Sequence, residues 1–461
     1  MYMQKFSIFT QGCKINQYES QAIREAWLGR AGLAEAEDPE QADIYLINSC
    51  AVTDRAIQDL RKAVRRFNRL RPEARIIVTG CAAEIFEQQI RDLPGVTARV
   101  VQSRKPELCR LGPEPFVSPG AEQTVPEQDK PFSRTFPSLH ISDYPRARPV
   151  LKIQDGCSQG CTYCIVPLTR GPARSRPSRD ILHEAQSLFQ SGYRELVISG
   201  INLAQYMDRS NGRMDFWDLI HWLDKQLKNE YHDGIRLRLS SLDPGLLSEK
   251  GLAVLRQAGL ICPHLHLSIQ SASPAVLRSM GRNHYTLEGL SDFIHQVKAF
   301  WPTFGLGADF LLGFPGETES DFQKTFDFCR AHPFSYAHIF TYSPRPGTRA
   351  AAYSKPVDER KKKQRSSRLR ALMAEKRKTF LRSLLPVPEM HIVLEQTEPC
   401  LGLNEYYALC FVHGTNAELC SKEMVRGTPI GVDEQGLLVQ AMGSKLEIGN
   451  VKLQESRVDP S

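Results

Sequence analysis

Residues 157–164 read CSQGCTYC, which places Cys157, Cys161 and Cys164 in a CxxxCxxC spacing. The run directly follows the apolar residues 150–153, which predict a strand. Three thiolates on one short loop can bind three irons of a 4Fe-4S cluster and leave the fourth iron open to a ligand from outside the protein. Structural zinc is the alternative, but it prefers four protein ligands, and no fourth Cys or His stands near this loop. We therefore expect an open iron-sulfur cluster here.

Strand-like segments continue beyond this loop at regular intervals. They cover residues 150–153, 195–199, 236–240, 264–269, 307–312 and 337–342, with helical patterns between them. Such units predict either the larger part of a (βα) barrel or an open α/β sheet, and reactive groups in both lie at the C-terminal ends of strands. We expect a partial (βα)6 barrel.

Short apolar runs also alternate with helical patterns over residues 4–110, which predicts a doubly wound parallel-sheet domain. Cys13, Cys50 and Cys81 each follow one of these runs. Taken singly, each is typical of a small buried residue. However, the loops after consecutive parallel strands converge on one edge, so the three thiols can meet in space. The pattern predicts a second metal site.

The remaining segments differ in composition. Residues between 111 and 142 are rich in proline and predict a linker. A basic helix is predicted over residues 360–382, and short β-rich runs over 389–454 predict a small β-barrel. The expected domains are therefore 1–110, the linker 111–142, 143–384 with the basic helix, and 385–461.

Length and cysteine content limit the class of protein. The chain has 461 residues, 41% of them hydrophobic, which suits several domains with their own cores. It shows neither a long apolar window nor a signal sequence, so we expect a cytoplasmic protein without a membrane partner. In that compartment the twelve cysteines are expected to be reduced thiols or metal ligands.

Positive charge is concentrated in a few segments. The formal net charge is +7, yet residues 360–382 alone hold eleven Lys or Arg against one acid. Other basic residues lie in the predicted helix 54–70 and just after the CxxxCxxC loop, and phosphate contacts make RNA the leading partner. The individual candidates for RNA contact are Arg174, Arg176, Lys361, Lys362 and Lys363. Residues 386–461 hold eleven acids against five bases, which argues against broad phosphate contact there.

The chain resembles the methylthiotransferase branch of the radical S-adenosylmethionine (SAM) enzymes. The matching blocks, in order, are CTYCIVPLTRGPARSRP, LVISGINLAQY, LRLSSLDP, LHLSIQSASPAVLRSMGR, GADFLLGFPGETESDF and HIFTYSPRPGTRAA. The resemblance implies that Cys157, Cys161 and Cys164 hold a 4Fe-4S cluster that binds SAM, and that Cys13, Cys50 and Cys81 hold an auxiliary 4Fe-4S cluster. The further residues that it implies for the SAM pocket are Tyr163, Gly200, Ser240, Gln270 and Asp309.

The resemblance also implies partners: the anticodon stem-loop of a tRNA, and an electron donor such as flavodoxin or ferredoxin. The C-terminal barrel would correspond to the family's TRAM domain. TQGCKINQYES resembles the type that adds a methylthio group at carbon 2 of threonylcarbamoyladenosine at tRNA position 37. The isopentenyladenosine type, which usually has a different residue pair after the Gly-Cys and an Asp in place of Glu19, is the alternative. A tRNA-binding metalloprotein without catalysis is a second alternative. His264 and His266 alternate along a predicted strand, which is more typical of packed residues, and receive no role.

Overall fold

The computed structural model describes residues 3–117, 132–133, 135–210, 212–231, 234–414 and 420–442. Along the chain, these residues form a parallel sheet, a larger α/β unit and a small barrel. No described helix combines the length and the apolar composition that a bilayer crossing requires.

The N-terminal unit is a parallel sheet with helices on both faces. Its strands are β1 Gln4–Thr10, β2 Leu33–Glu35, β3 Ile44–Ser49, β4 Arg75–Gly80 and β5 Val96–Val100, in the order β2-β1-β3-β4-β5. Its helices are α1 Lys14–Leu28, α2 Asp54–Leu70, α3 Cys81–Ile85, α4 Glu87–Arg91, α5 Lys105–Leu111 and α6 Glu114–Val117. Along β3, Tyr45 and Ile47 pack in one apolar core, and Ile44 and Leu46 pack in another. A parallel sheet covered on both faces confirms the predicted doubly wound architecture.

The central unit is an arc of parallel strands surrounded by helices. Its strands are β6 Val150–Lys152, β7 Gln154–Asp155, β8 Arg174–Ser175, β9 Glu195–Ser199, β10 Met207–Asp208, β11 Met214–Asp215, β12 Arg236–Leu239, β13 Ser241–Leu242, β14 His264–Gln270, β15 Gly305–Leu312 and β16 Tyr336–Thr341. Its helices are α7 Val166–Arg170, α8 Ser178–Gln190, α9 Phe216–Tyr231, α10 Glu249–Gln257, α11 Pro274–Ser279, α12 Leu287–Phe300 and α13 Glu319–Ala331.

Two parallel sheets make up this arc. One has the order β12-β9-β6, and the other has the order β13-β14-β15-β16. Because only Ser240 separates β12 from β13, the two sheets are continuous, which confirms the predicted partial (βα)6 barrel. On β14, Leu265 and Leu267 pack in the apolar core beneath the helices. Side chains alternate along a strand, so His264 and His266 face the concave interior of the arc.

A long helix, α14 Glu359–Ser383, connects the central unit to the C-terminal barrel. Its Leu369 and Met373 pack in the central core, whereas Leu381 packs in the core of the barrel. The barrel strands are β17 Met390–Thr397, β18 Cys400–Asn404, β19 Leu409–His413, β20 Met424–Val432 and β21 Leu437–Ala441, closed in the order β17-β18-β19-β21-β20. The small β-barrel is confirmed, although the sequence did not reveal β18 or β20.

Arginines of the central unit connect it to this barrel. Arg236 donates hydrogen bonds to the backbone carbonyls of His391 and Leu403, and Arg238 donates to those of Asn404 and Glu405. The barrel therefore packs against the N-terminal end of the central strands.

The predicted linker 111–142 is more structured at its ends than expected. Phe116 and Val117 are buried in the N-terminal core, and Leu139 and Ile141 are buried in the central core. Residues 118–131 and 134 lie outside the described part of the chain. The flanks of the proline-rich segment therefore contribute to packing.

Candidate functional site

Cys157, Cys161 and Cys164 lie on the loop between β7 and α7, at the C-terminal end of the first barrel strand. Gly156 opens this loop with φ +70°, and a Cβ there would lie 2.0 Å from the carbonyl oxygen of Pro172, so the turn requires glycine. The thiol of Cys157 accepts hydrogen bonds from the Gln159 amide at 3.5 Å and from Asn202 Nδ2 at 3.6 Å. The loop is thus held from the neighbouring strand end, after β9.

A buried arginine, which the sequence did not single out, lies beside the same loop. Arg282 donates to Cys161 Sγ at 3.7 Å, to Asp243 at 2.9 Å and to the carbonyl oxygen of Ser268 at 2.6 Å. Asp243 also accepts a hydrogen bond from His284 at 2.6 Å. Burial opposes ionisation of Asp243, but the His284 hydrogen bond and the Arg282 charge lower its pKa to about 2. A fixed cation therefore faces the thiols of this loop.

A cavity of about 220 Å³ opens beside Cys164. Tyr163, Gln270 and Asp309, three of the residues predicted for the SAM pocket, line it. Gln270 adopts φ +72° at the end of β14, a strained conformation for a non-glycine residue that is typical of functional sites. The other two predicted residues, Gly200 and Ser240, lie at the ends of β9 and β12 and do not line this cavity.

The second cysteine set converges at one edge of the N-terminal sheet, as the strand-end rule predicts. Cys13 precedes α1, Cys50 follows β3, and Cys81 begins α3. The three thiols lie close enough to interact electrostatically. Gly12, at φ +98°, lies so near Cys50 that an added Cβ would come within 2.7 Å of the Cys50 Cβ. Cys13 is exposed, whereas Cys50 is half-buried and Cys81 is buried.

Neither cysteine set has the close spacing that a single tetrahedral metal ion requires. Tetrahedral zinc at about 2.3 Å from each sulfur places the sulfurs about 3.8 Å apart. Within the described residues, His266, Asp309 and His338 form the one trio whose ligand atoms all lie within 4.8 Å, and neither cysteine set does so. Burial raises the pKa of Cys50 to about 11 and of Cys164 to about 12, so metal binding must displace their protons.

Residues from the loops of both cysteine sets line one cavity, here called the common cleft. Val52 and Thr53, directly after Cys50, line the cavity that Cys164 also lines. Helix α3, which begins at Cys81, packs against α7, which follows Cys164. Asp54 pairs with Arg345 across the same junction.

A buried ion cluster holds this junction together. Glu19 pairs with Lys105 at 2.6 Å, with Lys152 at 2.7 Å and with Arg170 at 2.8 Å. Asp155 neutralises the same group, at 3.0 Å from both Lys152 and Arg170. The three cations attract Glu19 strongly enough to lower its pKa well below the usual range despite burial.

Two of the residues predicted to contact RNA are buried in this region, so the structure corrects these predictions. Arg174 is buried and lies 3.3 Å from Asp155, and Arg176 is buried and lies 2.9 Å from Glu184. Their guanidinium groups are used inside the junction, so neither faces a phosphate.

A third residue predicted to contact RNA lies on the basic helix α14 and is also buried. Lys361 and Lys363 are exposed, but Lys362 is buried and donates to the Tyr342 carbonyl oxygen at 3.1 Å and to Glu359 at 2.7 Å. One face of α14 packs on the central unit, and Lys362 belongs to that face.

The concave interior of the central unit contains a polar network that the sequence did not predict. Asp309 lies 2.9 Å from His266 and 3.1 Å from His338. The hydroxyl of Tyr336 is 2.9 Å from both His266 and His264. His264 and His266, which received no role from the sequence, therefore line the interior next to a predicted SAM-pocket residue.

Family comparisons agree with this architecture. Residues 5–102 match the model described as "Uncharacterized protein family UPF0004", and residues 151–329 match the radical SAM superfamily. A solved radical SAM methyltransferase, TsrM from Kitasatospora setae, has a similar fold over 76% of this chain and 75% of its own, with a TM-score of 0.56 and 12% identity. The fold and its CxxxCxxC loop define a radical SAM enzyme.

Similar proteins narrow the class. Threonylcarbamoyladenosine tRNA methylthiotransferase MtaB of Bacillus subtilis is 34% identical over 82% of this chain and 82% of its own length. The MtaB of Thermotoga maritima is 33% identical over 79% and 80%. A tRNA-2-methylthio-N(6)-dimethylallyladenosine synthase of a Ruegeria species is 32% identical over 92% and 96%. The chain belongs to the radical SAM methylthiotransferase family, which uses SAM and two 4Fe-4S clusters, and these three relatives are named as tRNA-modifying enzymes.

Proposed function

We propose that this enzyme inserts a methylthio group at carbon 2 of threonylcarbamoyladenosine at tRNA position 37, with one SAM for methyl transfer and a second for radical generation. The observation that carries the proposal is the common cleft: Thr53 follows one cysteine set and lines the same cavity as Cys164 of the other. A nucleobase in that cleft would lie between a radical source and a sulfur source.

The residues divide into two groups. Cys157, Cys161 and Cys164 would hold the cluster that binds SAM, and Cys13, Cys50 and Cys81 would hold the auxiliary cluster. When bound, the first cluster and SAM supply a 5'-deoxyadenosyl radical, and the auxiliary cluster supplies sulfur. The part of the protein is to position these groups, with Tyr163, Gln270 and Asp309 along the cavity wall and Gly200 and Ser240 at the adjoining strand ends.

Surface charge supports an approach for the tRNA from the side of α2. A groove of about 740 Å³ beside this helix is lined by Arg55, Lys62, Arg66 and Arg69, and it reaches Gly12 next to Cys13. Lys361 and Lys363 provide further exposed cations. Phosphate contacts of this kind position an RNA without reading its sequence. The substrate region would be the anticodon stem-loop, with the C-terminal barrel acting as a TRAM domain and flavodoxin or ferredoxin as electron donor.

Relatives of both substrate types share 32–34% identity with this chain, so overall identity does not separate the two substrates. The preference for threonylcarbamoyladenosine rests on the sequence block around Cys13. The isopentenyl type remains the second candidate, because the Ruegeria relative matches over 96% of its length. The domain division would place the auxiliary site in 1–110, the radical site with the basic helix in 143–384 and the TRAM-like barrel in 385–461.

Mass spectrometry of tRNA nucleosides from cells with and without this gene tests the proposal. We expect 2-methylthio-threonylcarbamoyladenosine to disappear in the deletion strain while unmodified threonylcarbamoyladenosine accumulates. Loss of the 2-methylthio-isopentenyl nucleoside instead would establish the second candidate. The purified enzyme, loaded anaerobically, should also convert SAM and a reductant to 5'-deoxyadenosine, which a binding protein without catalysis would not do.

A further inference from the structure

A second cavity, of about 320 Å³, lies where α1, the segment 144–150 and the C-terminal barrel meet. This volume lies within the range of small-ligand sites. Lys14, Arg146 and Arg148 line it together with Tyr407, Val150 and Glu395. Lys14 directly follows Cys13, so one residue of the cavity wall is the chain neighbour of the proposed sulfur-donor site.

The charges in this cavity are unbalanced. Glu395 is the single acid among the described residues that line it, and it pairs with Arg148 at 2.7 Å. Lys14 and Arg146 have no ion-pair partner in the described part of the chain. The cavity therefore holds two cations without a counter-ion.

Two acids, Glu195 and Asp309, lie within electrostatic reach of Lys14, but each is already paired with other cationic groups. Glu195 lies 2.6 Å from both Arg236 and Arg238, and Asp309 is held by His266 and His338. Lys14 and Arg146 are both exposed and form no ion pair among the described residues, so an anion that arrives with a ligand can reach them.

We propose that Lys14, assisted by Arg146, binds the carboxylate of the threonylcarbamoyl group and thereby selects this adenosine. The inference rests on the proposed function. In the substrate, carbon 2 and the N6 substituent flank the same ring nitrogen. With carbon 2 toward the cysteine set of Cys13, the substituent would therefore lie on the same edge of the base, toward Lys14, which follows Cys13 in the chain. A dimethylallyl group carries no charge and cannot accept a charge-assisted hydrogen bond from these cations, so it would lack this part of the binding energy.

Binding measurements on the full chain carrying both clusters, without SAM, test this assignment. Four anticodon stem-loops of one sequence would carry at position 37 threonylcarbamoyladenosine, its neutral carboxamide, dimethylallyladenosine or unmodified adenosine. We expect the wild type to bind the acid about tenfold or more tightly than the carboxamide, since hydrogen bonds to charged groups are the stronger ones. Lys14→Gln should abolish this preference, and Lys14→Arg should retain it. Lys225→Gln, on an exposed position of α9, is the matched control and should change nothing.

Each other outcome has a distinct meaning. If Lys14→Gln keeps the preference for the acid over the carboxamide, the inference is wrong while the proposed substrate stands. An equal decrease in affinity for all four RNAs would identify Lys14 as a phosphate contact and also overturn the inference. If the wild type binds the dimethylallyl or unmodified RNA as tightly as the acid, the proposed substrate itself fails.

Discussion

Arg170 donates two hydrogen bonds to the Glu19 carboxylate, Nη1 to Oε1 at 2.8 Å and Nη2 to Oε2 at 3.1 Å, with both side chains buried. Glu19 lies on α1 of the N-terminal sheet, and Arg170 ends α7 beside the CxxxCxxC loop. This two-bond geometry is the strongest form of an Arg-carboxylate contact. It joins the two units that carry the cysteine sets.

Glu19→Gln should strongly destabilise the protein, because it leaves Lys105, Lys152 and Arg170 with too little negative charge. Removal of one partner of a buried ion pair costs about 3–5 kcal/mol. Urea unfolding followed by circular dichroism measures the effect. Glu37→Gln changes an exposed acid and should stay within about 0.5 kcal/mol of the wild type. Equal midpoints for the two variants would contradict this role for Glu19.

Iron content tests the cysteine assignment. The anaerobically loaded protein should hold about eight irons, four for each cluster. Replacement of Cys157, Cys161 and Cys164 by Ala should halve this number. Cys420→Ala, at an exposed cysteine outside both sets, should leave it unchanged. Full iron in the triple variant, or zinc in place of iron, would show that the loop does not hold a cluster.

Cys50→Ala separates the two sites. The variant should lose methylthiolation because the auxiliary cluster lacks a ligand, while 5'-deoxyadenosine still forms at the other cluster. Chromatography of both products from one reaction gives the comparison. If SAM cleavage also disappears in protein that retains its first cluster, the two sites are not independent.

The exposed lysines of α14 should contribute to tRNA affinity. Lys361→Glu with Lys363→Glu should weaken binding. For each phosphate that the protein no longer neutralises, the slope of log affinity against log salt should become shallower by about 0.9 in duplex RNA, or about 0.7 in single-stranded RNA. Lys362→Glu should instead lower the unfolding midpoint, because its amine is buried against Tyr342. An unchanged salt slope in the double variant would leave the α2 groove as the RNA-binding surface.

The Asp243 pKa of about 2 predicts how stability depends on pH. Asp243 ionises more readily in the folded chain than in the unfolded one, where the pKa is about 3.9. The contribution of Asp243 to the free energy of unfolding is therefore fully present above about pH 4 and is lost as pH falls toward 2. In cluster-free protein, Asp243→Asn should lower the urea midpoint at pH 6 and have less effect near pH 2. A difference independent of pH would show that this carboxylate is not held ionised.

The sequence predicted the positions of both cysteine sets because strand ends follow from apolar periodicity, and Cys13, Cys50 and Cys81 each occupy such an end. That the two sets hold clusters stays a prediction. It could not separate free cations from paired ones. Arg176 is neutralised by Glu184 and its neighbour Arg170 by Glu19, which lies 151 residues away in the chain. The runs of basic residues therefore predicted a larger RNA-binding surface than the structure provides.

Other features depend on distant pairings of the same kind. His266, Asp309 and His338 lie on three successive strands, so their contact appears only when β14, β15 and β16 come into register. Strand β20 contains Pro429 and two glycines, which weaken its pattern, and a bulge shifts its register against β21. Both the His-Asp-His contact and strand β20 therefore depend on strand pairing in the folded protein, which the local sequence pattern does not show.

The buried charges around Glu19 also determine which molecule moves during the reaction. Separation of the N-terminal sheet unit from the central unit would break this network of paired buried charges, so we expect the two units to keep a constant separation. The cleft between them is then a slot of set width. An adenosine that presents carbon 2 in this slot must swing out of the stacked anticodon loop. The rearrangement thus belongs to the nucleic acid, and stem-loops whose loop bases are already unstacked should be the faster substrates.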